Sequence, residues 1–148
     1  MQKNRFQLTP AVFMIFRKNS KILLLRRFNT GWRDGQYTVP SGHINGSETA
    51  SAAAAREAFE EVGAKINLMD LKFVQVMHRR ADEGDHERVD FFFEVLNYKG
   101  KLTNAEPEKC DDFQWFDIKH LPENTIPVVK SALDRISEGK YYTELNFD

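Results

Sequence analysis

The clearest pattern along the chain is a series of short segments rich in β-branched and aromatic residues, each bounded by turn-forming residues. This pattern predicts strands at residues 11–17, 21–27, 71–79 and 89–96, and a shorter strand at residues 113–116. Lys18, Asn19 and Ser20 form a compact polar connection between the first two strands. We therefore expect a hairpin there.

Two other stretches favour helices. Residues 48–62 contain an alanine run with high helix propensity, follow Ser47, a good N-cap, and stop at Gly63, a good C-terminal cap. Residues 126–139 place four apolar side chains at helical spacing: Val128, Val129, Leu133 and Ile136. One helix between the strands and one at the end predict a sheet covered by helices on both faces.

Composition indicates an ordinary globular domain. The chain has 148 residues, of which 41% are hydrophobic and 29% charged, and this length suits one domain covering residues 1–148. The longest apolar run, within residues 21–27, is too short to span a bilayer, and no signal-peptide pattern is present, so we expect no membrane association. A single cysteine, Cys110, gives no internal disulfide, and a cytoplasmic location is the default expectation.

The formal net charge of -1 conceals a basic N-terminal region. The first thirty residues contain no acid and seven basic residues: Lys3, Arg5, Arg17, Lys18, Lys21, Arg26 and Arg27. Either an anion-steering face or a solvated basic edge explains this asymmetry. Since the whole chain is not basic, we do not expect a long nucleic acid as partner.

The segment richest in chemistry runs from Gly42 to Ala64 and reads GHINGSETASAAAAREAFEEVGA. On a helix, Glu57, Glu60 and Glu61 fall within one arc of roughly 100°, so three carboxylates share a face. Clustered like charges disfavour an isolated helix, whereas a hard divalent cation such as Mg²⁺ prefers such oxygen ligands and shares them with phosphates. A solvated acidic stripe is the alternative interpretation.

The offsets of Gly42, Glu48, Arg56 and Gly63 around these glutamates argue against a merely solvated stripe. Arg56 lies four residues before Glu60 and can also reach back to Glu48, which would order the acidic face. Gly42 has no Cβ, so its carbonyl can approach a metal closely. On the opposite side of the helix, we expect a core face made of Ala52, Ala55, Phe59 and Val62.

These residues match every defined position of the Nudix box, G-x5-E-x7-R-E-U-x-E-E-x-G-U with U a small or aliphatic residue, over residues 42–64. The chain therefore resembles the Nudix hydrolase superfamily, and especially its MutT-like members. The resemblance implies an α/β/α sandwich around a mixed β-sheet. One departure is Ser41 before Gly42, where many members have two glycines.

The resemblance also implies an activity. We expect hydrolysis of the diphosphate bond of a small nucleotide-type substrate, a nucleoside triphosphate or a nucleotide-sugar or ADP-ribose type compound, dependent on Mg²⁺ or Mn²⁺. Glu57, Glu60, Glu61 and the Gly42 carbonyl would hold the metal, Arg56 and Glu48 would orient them, and Glu57 or Glu61 would be the base. A catalytically silent Nudix-fold sensor is the alternative, and both a monomer and a homodimer remain open.

Further candidates lie outside the box. The acidic loop before Trp115 resembles one that supplies a metal ligand or base in some MutT-type members, which makes Glu106 or Glu108 a candidate, with solvated loop charge as the alternative. Trp115 is expected in the core beside Phe116, and Cys110 is expected to have no catalytic role.

The segment before the box contains groups that could bind a nucleotide. Arginines bind phosphates and aromatic rings stack on bases, so Arg26, Arg27, Trp32 and Tyr37 are candidate substrate-binding residues, although the aromatic side chains could equally serve packing. His78, followed by two arginines at the end of a predicted strand, is a further candidate that would face the cleft.

Overall fold

The computed structural model describes residues 3–80 and 86–147. In chain order the elements of this part of the chain are β1 (Thr9–Lys18), β2 (Lys21–Arg27), β3 (Tyr37–Thr38), β4 (Ser41–His43), α1 (Ala50–Val62), β5 (Leu71–Arg80), β6 (Glu87–Val95), β7 (Cys110–Asp117), α2 (Pro127–Ser137) and β8 (Tyr142–Leu145). A short 3₁₀ helix, Leu68–Asp70, leads into β5. No helix in these described residues is long and apolar enough to cross a membrane.

The strands form a mixed sheet in the order β3-β2-β1-β6-β5-β8, with β4 paired to β1 and β7 paired to β2. Strand β1 runs parallel to β6 from Thr9 to Phe16, but it pairs with β2 only through Arg17 and Lys18. β1 is thus the seam between two groups of strands. β4 is held on β1 with Gly42 opposite Val12, which fixes the backbone of the loop before α1.

Alternation along β1 produces two cores, one on each face. Val12 and Met14 pack with the buried side of α1, whereas Phe13 and Ile15 pack with α2. This arrangement follows from the two-residue period of a strand, because each face of the sheet must be covered by a helix. The architecture is the expected α/β/α sandwich around a mixed sheet.

Helix α1 begins at Ala50, two residues later than predicted, and its N-cap is Thr49 rather than Ser47. The Thr49 hydroxyl accepts a hydrogen bond from the Ala52 N–H at 3.1 Å. Ser47 instead adopts a positive φ of 64° in the preceding turn. The C-terminal prediction is confirmed: Gly63 has a φ of 74° and its N–H donates to the Phe59 carbonyl.

The predicted core face of α1 is wrong in part. The buried residues are Ala53, Ala54, Ala58 and Val62, while Phe59 is 54% exposed. The helix is rotated so that its small alanines contact the sheet, because a large side chain there would hold the two layers apart. In this orientation Glu57 and Glu61 are half-buried, whereas Glu60 is exposed.

The hairpin and the bounds of β2 are confirmed, with Arg17 opposite Ile22 across the turn. Strands β3, β4 and β8 were not predicted. They have two, three and four residues, too few to show a hydrophobic period, and they form only because distant strands offer partners. β7 is longer than the predicted residues 113–116, since it starts at Cys110.

Candidate active site

A cavity of about 560 Å³ lies beside β1. Its walls come from β1, β2, β4, α1, β5, β6 and the loop before β7. Five of its lining residues are those predicted to hold a metal: Gly42, Glu57, Glu60, Glu61 and Glu106. The structure therefore brings the whole predicted ligand set to one cavity, including the acid from outside the box.

Arg56 organises the acidic face of α1. Its Nε and Nη2 donate to the two carboxylate oxygens of Glu48 at 2.7 and 2.9 Å, and its Nη1 donates to Glu57 Oε1 at 2.7 Å. A further bond joins Nη2 to the His43 carbonyl at 3.0 Å, and Glu60 lies 3.4 Å away. One guanidinium thus ties the loop before the helix to the acidic side chains on it.

These hydrogen bonds shift the pKa values of Glu48 and Arg56, which together form the arginine clamp. Hydrogen bonds from Arg56 and from the Asn45 N–H lower the pKa of Glu48 to about 2, and the carboxylates of Glu48 and Glu57 raise the pKa of Arg56. Both groups are ionised at neutral pH. The clamp is therefore a charge-assisted pair whose strength depends on pH.

Because the pKa of Glu48 is depressed in the folded chain, its stabilising contribution is complete above the unfolded pKa of 4.5 and is lost as the pH falls towards 2. We expect Glu48→Gln to be less stable than the wild type at neutral pH and to approach it as the pH drops through this range. Urea unfolding across the range checks this, with Glu108→Gln as a matched control. A difference that stays constant with pH would contradict it.

The approach of Glu57 to Gly42 is unusually close. A Cβ on residue 42 would lie 2.0 Å from Glu57 Cδ and 2.4 Å from either carboxylate oxygen. Only glycine leaves room for the carboxylate at this position. The pairing of β4 with β1 and the bond from Arg56 hold the two partners together.

Glu61 lies on the sheet side of the acidic face. Its Oε2 accepts a hydrogen bond from the Ser41 N–H at 2.9 Å. Burial raises the pKa of Glu61 well above its ordinary value, and the neighbouring charges of Glu57 and Glu106 raise it further. Burial also raises the pKa of Glu57, against the opposing effect of Arg56. The cavity thus contains carboxylates whose negative charge is incompletely compensated.

The donor chemistry of this wall suits a hard divalent cation, since every candidate ligand is an oxygen. Within residues 3–80 and 86–147, however, no group of three or more His, Cys, Asp or Glu side chains already stands in a metal-binding arrangement. Arg56 engages Glu57 and Glu60, and Ser41 engages Glu61. Metal binding would therefore require small rotations of glutamates that are already close together.

Three of the predicted substrate-binding residues line the same cavity: Arg26, Arg27 and Trp32. Arg27 Nε donates to the Trp32 carbonyl at 2.7 Å, and its guanidinium lies over the indole ring, 4.8 Å from the centroid. Arg26 is paired with Asp111 at 2.7 Å. The Arg27–Trp32 stack forms a rigid wall whose polar groups are partly used by the protein itself.

Tyr37 and His78 do not line this cavity. Tyr37 is buried, its hydroxyl donates to Asp112, and its ring packs edge-on against Phe116 with centroids 5.1 Å apart. His78 lies 3.1 Å from Glu87 and its ring contacts Phe147. The prediction that His78 faces the cleft is wrong because the two-residue period of β5 turns the next residue, Arg79, towards the cavity instead.

The two acidic candidates in the loop before β7, Glu106 and Glu108, differ in their position relative to the cavity. Glu106 lines the cavity, with Lys109 3.6 Å away, whereas Glu108 does not line it. Cys110 is buried at the cavity wall, where its thiol donates to the Asp112 carbonyl and burial raises its pKa. We assign it no catalytic role.

Trp115 and Phe116 lie on opposite faces of β7 rather than side by side. Trp115 packs against the core under α1, and Phe116 packs against the core under α2. Trp115 is partly buried against its core rather than inside it, and the two-residue strand period excludes the predicted position beside Phe116.

Sequence reasoning missed a polar cluster on β5 and β6. Arg79 and Arg88 face each other across the two strands and both line the cavity. Arg79 is only 1% exposed, and its Nε donates to Asp90 Oδ2 at 2.5 Å. His43 lies beside Arg88, with 3.3 Å between the imidazole Nε2 and Arg88 Nη1. The available signal was the alternation of β5, which places Arg79 on the same face as the buried Met77.

The α/β/α sandwich and the glutamates on α1 together indicate one family of proteins. Comparison with known families identifies the same one. The family model of the NUDIX domain matches residues 5–136. The chain belongs to the Nudix family, which confirms the recognition of a Nudix superfamily member. Nudix enzymes generally use divalent metal ions and act on small nucleotide-type substrates.

Among curated proteins, the chain is similar to the NAD-capped RNA hydrolase NudC of Chromobacterium violaceum, with 26% identity over 138 residues. This match covers 89% of the chain and 49% of that protein. NudC of Deinococcus radiodurans is 27% identical over 143 residues, covering 93% of the chain and 46% of the relative. The chain thus spans about half the length of the curated relatives that it matches.

Solved structures agree on the fold. A MutT Nudix hydrolase from Burkholderia pseudomallei superposes with a TM-score of 0.79 at 20% identity, covering 87% of this chain and 98% of that one. A MutT protein from Methanosarcina mazei Go1 gives a TM-score of 0.76 at 17% identity, covering 88% and 94%. The expected α/β Nudix fold is confirmed.

Proposed function

We propose that this chain hydrolyses the diphosphate bond of a small nucleotide-type substrate with the help of Mg²⁺, which Mn²⁺ could replace. The observation that supports this most directly is the shared cavity of Glu57, Glu60, Glu61 and Glu106 beside Gly42. Its volume of about 560 Å³ suits a nucleotide-sized ligand. Arg27 on the adjoining wall adds a positive group suited to phosphate oxygens.

In this proposal Glu57, Glu60 and Glu61 hold the cation, with the Gly42 carbonyl and Glu106 as additional ligands. When bound, the ion neutralises phosphate charge and lowers the pKa of a water molecule. Arg56 keeps Glu57 and Glu60 on one side of α1 through the bonds described above, and Glu48 keeps Arg56 in place. These two residues act on the ligands and do not contact the reacting phosphorus.

A glutamate takes the proton from the attacking water, and Glu57 and Glu61 are the two candidates. The raised pKa of both side chains favours this role, since a base whose pKa approaches the working pH transfers protons more effectively. The Ser41 N–H fixes one oxygen of Glu61, and the other has no hydrogen-bond donor among the described residues. We therefore place Glu61 first.

We expect hydrolysis to require Mg²⁺ or Mn²⁺, to disappear with a chelator and to return when the metal is restored, because phosphate charge could not otherwise enter an acidic cavity. Addition of the metal should also raise the melting temperature of the wild type, and it should raise that of Glu57→Gln less. Released phosphate and differential scanning fluorimetry measure the two effects. Hydrolysis that persists without metal would contradict the proposal.

A substrate panel then identifies the leaving group. It should contain nucleoside triphosphates, ADP-ribose, sugar nucleotides, dinucleoside polyphosphates and, because of the NudC relatives, NAD-capped RNA. Chromatography of the products shows which phosphorus anhydride is cut. If none is turned over with metal present but one still stabilises the fold, the chain is a nucleotide sensor rather than an enzyme.

A further inference from the structure

The end of the cavity formed by β5 and β6 differs from the acidic wall, which consists of Glu57, Glu60, Glu61 and Glu106. We define the arginine floor as Arg79 and Arg88, which face each other across these strands and line the cavity. Asp90 lies behind Arg79, is fully buried and does not line the cavity. One buried carboxylate therefore lies near two guanidinium groups, of which Arg79 is buried and Arg88 is half-buried.

The hydrogen bonds of the floor leave donors unused. Asp90 occupies Nε of Arg79, and within the described residues the terminal nitrogens of Arg79 have no hydrogen-bond acceptor. Arg88 contacts His43 through Nη1, while its buried Nε has no partner in the described part of the chain. Asp90 Oδ1 is a buried acceptor that also lacks a partner among the described residues, but Asp90 does not line the cavity. Arginine carries donors only, so a ligand in the cavity that completes its bonds must present acceptors.

The charge balance points the same way. Burial and the nearby charge of Arg79 lower the pKa of Arg88, and the opposing charge of Asp90 only partly offsets this effect. His43, whose Nε2 lies 3.3 Å from Arg88 Nη1, cannot supply the missing negative charge. Arg88 is half-buried and forms no salt bridge with the described carboxylates, so a ligand that brings acceptor atoms to it gains free energy on binding.

We propose that the arginine floor is a specificity site that recognises an acceptor-only group at the end of the substrate remote from the cleaved diphosphate. This group is either the keto edge of a nucleobase or an additional phosphate, since both offer adjacent acceptors to a guanidinium fork. A base with an exocyclic amino group at this edge brings a donor against donors and is disfavoured. The proposal rests on the proposed function for the position of the diphosphate.

Asp90 is a positioning residue in this site. Its bond to Nε leaves the two terminal nitrogens of Arg79 without an acceptor among the described residues, so they remain available to a ligand. Ala11 and Phe13 of β1 line the cavity next to the floor and provide apolar contacts for the remainder of the ligand. The site thus combines an apolar wall with a fixed pair of donors.

The test uses binding without metal, so that it is separate from hydrolysis. Dissociation constants of inosine monophosphate and adenosine monophosphate, which differ in the carbonyl or amino group of the purine edge, are measured by calorimetry in a chelator. Adenosine 2′,5′-bisphosphate, with one more phosphate, is the third probe. The wild type should bind one of the two acceptor-bearing probes about tenfold to a hundredfold more tightly than adenosine monophosphate.

The variants assign that preference to the floor. Arg79→Met should abolish it, whereas Arg79→Lys, which keeps the charge but not the fork, should retain only part of it. Preference for the inosine probe identifies a nucleobase edge, and preference for the bisphosphate identifies a phosphate. If Arg79→Met does not fold, as thermal unfolding would show, Arg79→Lys alone decides.

Equal binding of all three probes, or a preference that Arg79→Lys leaves unchanged, would overturn the inference. These outcomes are distinct from failure of the proposed function. A chain that hydrolyses nothing can still show the preference, and an active chain can lack it.

Discussion

Replacing Glu61 by glutamine should lower kcat by about 10²- to 10⁴-fold, the range by which a positioned general base accelerates proton transfer. The amide keeps the shape of the side chain and can still accept the Ser41 N–H bond at 2.9 Å, but it neither takes a proton nor offers a charge to the metal. The measurement is steady-state hydrolysis of the best substrate of the panel at saturating Mg²⁺. Turnover near that of the wild type would remove Glu61 from the proposed mechanism.

The loss should not come from unfolding. Burial disfavours the ionised form of Glu61, as its raised pKa shows, so removal of the charge should leave the melting temperature of the metal-free protein unchanged or higher. Glu108→Gln is the control, because Glu108 lies in the acidic loop before β7 close to Glu106 in sequence but outside the cavity. It should retain both activity and stability.

Gly42→Ala should reduce kcat/KM by about a hundredfold while the protein remains folded, since a displacement of roughly 1 Å at a reacting centre costs that much. The new Cβ would stand 2.0 Å from Glu57 Cδ, and the carboxylate must move away. Because the carboxylate is the end of a flexible side chain, its displacement costs little stability. Yet it breaks the 2.7 Å bond from Arg56 and takes an oxygen from the acidic wall.

Gly46→Ala provides the control for this substitution. Gly46 lies in the same loop before α1, and a Cβ there meets nothing within 4 Å. Any general effect of stiffening the loop would appear in both variants, whereas displacement of Glu57 occurs in one. Equal kinetics for the two alanine variants would show that the position of Glu57 is unimportant.

The acidic wall was predictable because helical geometry alone relates its members. Glu57, Glu60 and Glu61 share a face whatever the rest of the fold does, and glycine at residue 63 marks the end of the helix. The rotation of the helix about its own axis was not predictable in the same way. It depends on the sheet beneath, which selected the small Ala54 and Ala58 for contact and left Phe59 exposed.

The other walls needed information that local pattern does not contain. Whether His78 or Arg79 faces the cavity depends on the register of β5 against β6, and a shift of one residue would exchange them. Tyr37 had the composition of a stacking residue but lies in a two-residue strand that packs against Phe116. Such short strands exist only in the folded chain, through pairing with partners far along the sequence.

The position of β1 as the seam of the sheet has a consequence for how such a domain can diversify. The three box carboxylates stand on α1, whereas Arg79 and Arg88 stand on β5 and β6, which follow β1 in the sheet order. Among the described residues the Arg79 side chain bonds only to Asp90, so its substitution breaks no hydrogen bond to the glycine loop or to α1. Related proteins can therefore change their substrate preference through substitutions on β5 and β6, while the carboxylates of α1 stay the same.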